Sequence, residues 1–525
     1  MKPWKAWLAI AASSAMVVSV VAPLRLSVAS PGAPTGTQVL KIDAGAPIRA
    51  ISPLIRGISG DGEPSYMRDA GITVNSWGGN PSTRYNYNIG HAWNSASDWE
   101  YRNGNYGTTG DVAGQFVSQA AATGVKVRLA VPTLGWVAKD DRSDTCSFPQ
   151  AGGGCGGGAG VNCTSNGRRA DPTTANVAST PAGVKAWVVR LLADHPGGID
   201  YVAMDNEPEL WGYTQYDVHP TCTTYEEILN RYTTYADALR NVAPDARFTG
   251  PVMCCWYSFW NAAPGPATGP KVDFLTWFLQ QMKSHDTSAG RRTLDLLDVH
   301  YYPQSDVYND KVDASSNARR LRSTRSLFDP KYTDESWIKS TIRLIPRLRE
   351  TIARTYPGTG LAISEWNFGA DTTMNGALAI ADVLGIYGRE GVDVAAYWRS
   401  PKQLSPGYFA FKMYGNYDDK GSSFSGTAVR VVAPDIDRVS SYAAVDSRSG
   451  KLKVMIVNKD PSNAQTVSMS LTRFRSAPTV TTYQYSAAHK GIVRTTVPLS
   501  SLTQGISMPA STVTLVEFAA AAGAA

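Results

Sequence analysis

Tyr201-Val202-Ala203-Met204-Asp205-Asn206-Glu207-Pro208-Glu209 is an apolar run that breaks off into acids. Taken over residues 199–204, it has the length and the mostly apolar make-up of a strand buried on both faces of a parallel sheet. Residues 361–364 have the same build and lead into Glu365-Trp366-Asn367. Six further runs resemble these two, at 54–59, 72–77, 126–131, 247–252, 294–300 and 392–398. Helical stretches fall between most of them, most clearly at 111–122, 181–194, 224–241, 272–284, 335–356 and 375–389. Thr223 or Thr224, followed by Glu226-Glu227, has the form of a helix start with acids in its first turn. Eight strand–helix units predict an α/β protein built on a (β/α)8 TIM barrel over residues 30–425.

The pattern changes near Gly426. Short alternating runs at 451–458, 466–471, 480–485 and 512–518 follow turn signals, and helical periodicity is lost. They predict a C-terminal antiparallel β-sandwich domain over 426–520. Residues about 37–50 are candidates to pair with it, and 521–525 read as a disordered tail.

In such a barrel the reactive groups project from the C-terminal ends of the strands. The fourth run ends at Glu207 and the seventh at Glu365, so the two carboxylates are expected on opposite sides of one pocket. Cleavage of a glycosidic bond needs such a pair. One carboxyl carries a proton to the leaving oxygen, and the other attacks as an anion or activates water. The alternative is two surface acids in loops. Their positions on the fourth and seventh strands, with Asn206 ahead of the first, weigh against it.

The rest of the chain bounds the setting. Lys2 and Lys5, the uncharged run 6–23 and Ser27-Val28-Ala29 have the order of a secretory signal peptide over residues 1–29. A retained membrane anchor is the alternative. The mature protein is therefore expected to be secreted, free of the membrane and monomeric. Net charge is +6, from 50 basic and 44 acidic residues. Arg319, Arg320, Arg322 and Arg325 read as a solvated helix face, so no nucleic-acid partner is expected. Cys146, Cys155, Cys163, Cys222, Cys254 and Cys255 predict disulfides of open connectivity rather than a zinc site. A local clasp around the glycine-rich stretch 152–160 is one option. The chemistry requires no cofactor. Asp140, Asp141 and Asp144 are candidates for a structural calcium site, against a plain solvated acidic loop.

Other segments are specific enough to point to a family. They are Trp77-Gly78-Gly79-Asn80-Pro81-Ser82-Thr83-Arg84-Tyr85-Asn86, Met204-Asp205-Asn206-Glu207-Pro208-Glu209-Leu210-Trp211 and Asp217-Val218-His219-Pro220. Further on come Asp298-Val299-His300-Tyr301-Tyr302-Pro303, Ser364-Glu365-Trp366-Asn367 and Met413-Tyr414-Gly415-Asn416-Tyr417-Asp418. Together they resemble glycoside hydrolase family 44, the endoglucanases and xyloglucanases. The resemblance implies Glu207 as acid/base, Glu365 as nucleophile and retention of configuration. It implies β-1,4-linked glucans as substrates, including cellulose derivatives, xyloglucan and mixed-linkage glucan. A β-mannanase or xylanase on the same barrel and a non-catalytic carbohydrate-binding barrel are the competing readings.

Substrate-binding candidates are Trp77, Asn80, Arg84, Trp136, Asn206, His300, Tyr302, Trp366 and Trp398, with Trp211 and Trp256 as further stacking platforms. Asn206 is placed to donate to a sugar hydroxyl, and Tyr302 to hold the carboxylate of Glu365. His300 either helps to orient that carboxylate or is a core histidine. Trp398 is a candidate floor for the cleaved sugar. One departure stands out: the family pattern has an Arg ahead of Trp77, where Ser76 stands here. Arg56 and Arg84 are the candidates to replace it.

Overall fold

Eight short apolar strands pair in parallel and close into a barrel. The computed structural model describes residues 37–521 apart from 61, 157, 159, 166, 262–271 and 305. The expected signal peptide and residues 522–525 of the expected tail lie outside them. In chain order the barrel strands are Gly57–Ser59, Val74–Trp77, Lys126–Val131, Tyr201–Met204, Arg247–Met253, Leu296–Tyr301, Gly360–Trp366 and Val394–Tyr397. The eighth pairs with the first to close the ring. Each of the eight expected runs overlaps one of these strands.

Helices cover the outside, and their starts are set by local chemistry. Thr180 accepts from Gly183 N and Pro181 follows it, which opens the helix Pro181–Asp194. Thr224, not Thr223, caps Tyr225–Arg240 by accepting from Glu227 N at 3.1 Å. The helix expected over 335–356 begins later, as Leu344–Thr355. Pro346 lacks an N–H and fits only in a first turn, so the helix has to start just ahead of it. Asp334 meanwhile ties down the preceding segment, accepting from Ser336 N at 2.9 Å and Ser326 Oγ at 2.8 Å.

The C-terminal strands and Gln38–Ala50, which precedes the barrel, form one continuous nine-stranded sheet. Its order is Val493–Pro498, Thr479–Tyr485, Thr512–Phe518, Lys451–Asn458, Val439–Asp446, Thr427–Val432, Gln38–Ala50, Gln465–Thr472 and Ile506–Met508. All pairings are antiparallel except that of Gln38–Ala50 with Gln465–Thr472, which is parallel. The sheet is curled. Leu40, Val429, Ile456, Val467, Val480 and Phe518 come from strands across its width and meet in one apolar core. Alternate residues turn to the other face. There Met455, Val457, Val513 and Leu515 join the core of the barrel.

A buried ion pair pins that contact. Asp382, in the helix Met374–Glu390, lies 2.7 Å from Lys459, and the two side chains are 1% and 3% exposed. Asp382 also accepts from Thr324 and Tyr442, each at 2.6 Å, and from Ser440.

The disulfides join Cys146 to Cys155, Cys163 to Cys222 and Cys254 to Cys255. Only the first clasps the glycine-rich stretch; Cys163 is tied instead to the segment after the fourth barrel strand. Among the described residues, no helix is long and apolar enough to cross a membrane.

Candidate active site

At the C-terminal end of the barrel, His300 Nδ1 stands 2.9 Å from Glu207 Oε1 and 3.4 Å from Glu365 Oε2. One such atom from each of the three residues lies within 4.8 Å of the others. Among the described residues, no other three His, Cys, Asp or Glu side chains gather so closely. The set is tight enough to share an ion. Its shortest contact, however, is already a donor–acceptor pair, and we read it as a proton-sharing triad.

Register explains how His300 comes to face Glu365. Val299 pairs with Ile363, but His300 pairs with Glu365, so Ser364 is an extra residue on the seventh strand. A shift of one residue turns every later side chain to the opposite face. Without the bulge Glu365 would point into the helical shell. Trp366 takes that direction instead. It is fully buried, with the rings of Tyr387 and Tyr397 at 5.3 and 4.8 Å. Its expected place against substrate is therefore corrected: it is a core residue.

The other glutamate sits on a strained turn. Asp205, Glu207 and the neighbouring Val252 have φ of 71°, 44° and 61°, the left-handed region that disfavours side chains and Val above all. Hydrogen bonds hold the turn. The buried Asp205 carboxylate accepts from Thr133 N at 2.5 Å, Leu134 N at 3.1 Å and Thr83 Oγ1 at 2.7 Å. Glu207 N donates to Val252 O at 3.0 Å.

The electrostatics are those of charges taken out of water. Burial pushes Glu365 up to about 7, aided by Glu207 and opposed by His300, Tyr302 and Arg128. Burial alone would lower His300, but Glu365 and Glu207 outweigh it and bring the ring to about 8. Glu209 is raised to about 8, by burial first and then by Glu207. Its Oε1 accepts from Cys254 N at 2.5 Å, and its Oε2 has no partner among the described residues. Asp98 rises to about 6 through burial, with Asn80 pulling it down and Glu207 pushing it up.

Four other expected residues gather here. The Tyr302 hydroxyl donates to Glu365 Oε2 at 2.9 Å. Asn206 Oδ1 accepts from Gly79 N at 3.1 Å, and Asn80 Nδ2 donates to Asp98 Oδ2 at 3.0 Å. Trp398, half-buried, lies over Gly79, where a Cβ would come within 2.5 Å of the indole. With φ of 78° as well, position 79 admits only glycine.

The remaining candidates belong to the framework. Arg84 is fully buried in an ion pair with Asp217 at 2.7 Å, not turned to substrate. Trp77 is buried between Tyr85 and Phe116, at 5.1 and 5.5 Å. Trp211 is buried against His219, and Trp136 packs beside it. Trp256 pairs with Trp260 beneath Arg347. Arg56 precedes the first strand, and its Nε donates to Gly71 O at 3.0 Å. Neither Arg56 nor Arg84 takes the place opened at Ser76. The guanidinium that acts on Glu365 is Arg128, whose Nη1 donates to Ser76 Oγ at 3.1 Å.

The calcium candidate is corrected too. Asp140 accepts from Asn103 and Thr145, Asp141 from Asn105, and Asp144 from Arg142, so the three face separate donors and surround no common point. Three residues of the site escaped the reading of the sequence: Arg128, Asp98 and Glu209. Arg128 carried a signal, as a lone charge in the middle of an apolar strand. Asp98 carried none.

Residues 92–305 match the model of glycoside hydrolase family 44. Endoglucanase A of Paenibacillus lautus is 34% identical over 305 residues, which make up 55% of this chain and 41% of that protein. The chain thus spans less than half the length of that relative. A bifunctional glucanase-xylanase from a metagenome library has a crystal structure that superposes with a TM-score of 0.85 at 32% identity, covering 92% of this chain and 99% of that one. A family 44 xyloglucanase of Paenibacillus polymyxa superposes with a TM-score of 0.79 at 25% identity, covering 92% of this chain and all of that one.

Proposed function

This chain belongs to glycoside hydrolase family 44, and on that premise we propose that it cleaves β-1,4-linked glucans with retention of configuration. The observation that carries the reading is the closeness of Glu207 and Glu365, whose oxygens come within 4.8 Å across His300. Carboxyls about 5 Å apart suit direct attack on the sugar, whereas inversion needs about 6.5–9.5 Å to admit a water between them.

In the first step Glu365 attacks the anomeric carbon as an anion and forms a glycosyl ester. Glu207 gives its proton to the departing oxygen. In the second step Glu207 takes a proton from water, which breaks the ester and restores both groups. Tyr302 and His300 hold Glu365 in line. Asn206 is placed to donate to a hydroxyl of the reacting sugar, and Trp398 to floor its subsite. The reading needs no cofactor and no second copy, since both glutamates come from one chain.

A polymer substrate is supported by the exposed aromatics. Trp99, Tyr106, Tyr257 and Trp337 are at least a third exposed, and all lie in segments that follow the C-terminal ends of barrel strands. Such rings pack on the apolar faces of sugars. Xyloglucan, carboxymethyl-cellulose and mixed-linkage glucan are the proposed substrates, in line with the endoglucanase and xyloglucanase relatives. Xylan is a second reading, favoured by the glucanase-xylanase relative. Export through the N-terminal signal is supported by the disulfides, which form in oxidising compartments.

The test is hydrolysis of these polymers and of glucomannan, with the anomer of the first product followed by NMR. A β-anomer is expected. An initial α-anomer overturns retention, and binding without hydrolysis of any polymer leaves only a carbohydrate-binding barrel.

A further inference from the structure

Arg128 is the charge inside an apolar strand, and its side chain is 2% exposed. Burying a guanidinium is expensive, and a buried ion pair is weak support for stability in itself. The surroundings show what holds it. Arg128 Nε and Nη2 both donate to Asp298 Oδ2, at 3.1 and 2.7 Å, and Thr249 Oγ1 donates to the same oxygen at 2.7 Å. Nη1 is the other end of the fork and donates to Ser76 Oγ.

That end faces the site. A Cβ built on Gly78 would lie 3.8 Å from Arg128 Nη1 and 3.8 Å from Glu365 Oε1, so both line the same small gap. The Asp298 carboxylate is bound at the far end of the guanidinium. The pair therefore presents its positive side to Glu365. Ser76 and Arg128 are register partners on the second and third strands. A short side chain at 76 is what leaves room for the arginine to cross.

We infer that Arg128 is a positioning residue for Glu365: braced by Ser76 and Asp298, it sets a fixed positive charge beneath that carboxylate and keeps it ionised for attack. This rests on the reading of Glu365 as nucleophile. The other groups facing Glu365 are His300, Glu207 and Tyr302. His300 and Tyr302 approach Oε2, whereas Oε1 is the oxygen that shares the gap at Gly78 with Arg128 Nη1. The same charge lowers Glu365 against the burial that raises it.

The test compares Arg128→Lys, Arg128→Gln and the exchange Ser76→Arg/Arg128→Ser. Each is treated with an activated 2-deoxy-2-fluoro-β-cellobioside across pH, and labelling of Glu365 is timed by mass spectrometry. With the charge gone, Arg128→Gln should move the acid limb of labelling up by about one pH unit or more, a tenfold loss of rate on the acid side. Arg128→Lys keeps the charge and should stay near the wild-type limb. A merely structural arginine predicts the same limb for both, and that result overturns the inference. If Arg128→Gln fails to fold, the exchange decides. A wild-type limb supports the inference, because the cation has been returned from the neighbouring strand; a raised limb overturns it. Failure to label Glu365 in the wild type is a different outcome, which removes the nucleophile reading and this inference with it.

Discussion

The phenol of Tyr302 donates 2.9 Å to Oε2 of Glu365, the oxygen that His300 also approaches at 3.4 Å. A hydrogen bond to an ionised group contributes roughly 1.5–3 kcal/mol, about 10–100-fold in rate if it is lost where charge matters. Tyr302→Phe should therefore lower kcat on an aryl β-cellobioside by that factor and leave the fold intact. Its acid limb should also move up, because a donor to the anion has gone. A variant with unchanged kcat would remove Tyr302 from the site's chemistry.

The two glutamates should fail differently. Glu365→Gln should abolish turnover of every substrate, because no glycosyl ester can form. Glu207→Gln should hurt polysaccharides most and spare the first step on an aryl glycoside with a good leaving group. Added azide, which needs no base, should then speed its second step and yield a β-glycosyl azide. An α-azide from Glu207→Gln would exchange the two roles.

The pH profile has a predicted sign. As the proposed nucleophile Glu365 has to be ionised, and burial lifts it to about 7. Activity should therefore fall as the pH drops through that range, well above an ordinary carboxylate. Measured kcat/KM with its acid limb at or below pH ~4.5, the unperturbed range of glutamate, would contradict this.

Glu209 gives a stability prediction free of catalysis. Folded, it keeps its proton to about pH 8, while an unfolded glutamate releases it at the ordinary 4.5. Between those values unfolding releases a proton, so the proton's contribution is full below 4.5 and is lost as pH rises through 8. Glu209→Gln has no proton to lose. The melting temperature of Glu209→Gln relative to wild type should rise steadily from pH 5 to 8. A constant difference across that range would show that Glu209 is not held protonated.

Lys459 and Asp382 test the contact between barrel and sheet. Breaking a buried pair leaves a charge without its partner, at a cost of roughly 3–5 kcal/mol. Lys459→Met should lose about that much in urea unfolding, and Asp382→Asn added to it should recover part. Specific activity of the folded fraction should not change. A loss under ~1 kcal/mol would make the pair incidental.

The barrel was legible because its strands are short apolar runs, buried on both faces, and the acids at their ends break the pattern visibly. Glu207, Glu365 and Tyr302 could be placed from chain position alone. What failed was direction. Trp366 looks like a platform beside Glu365, yet the extra residue Ser364 sends it into the shell. Arg84 sits in a motif near the site, but its partner Asp217 lies far away in sequence. Arg128 answers the gap at Ser76 from another strand, a compensation that only side-by-side register reveals. That Gln38–Ala50 joins the C-terminal sheet was legible, but the strand order was hidden for the same reason, since which strands flank it depends on segments beyond the barrel.

That first strand also sets a schedule. It leaves the ribosome before the whole barrel, yet its neighbours in the sheet are Thr427–Val432 and Gln465–Thr472. Contacts between such distant segments form slowly, because a long loop must close first. Until then the strand shows unpaired backbone, a template for the wrong partner. Lys41, Asp43 and Arg49 are spaced along it, charges of the kind that discourage stray pairing while it waits. Thr427–Val432 and Gln465–Thr472, made after the barrel, thus release the earlier strand from waiting, and the yield of native protein is decided when these distant segments meet.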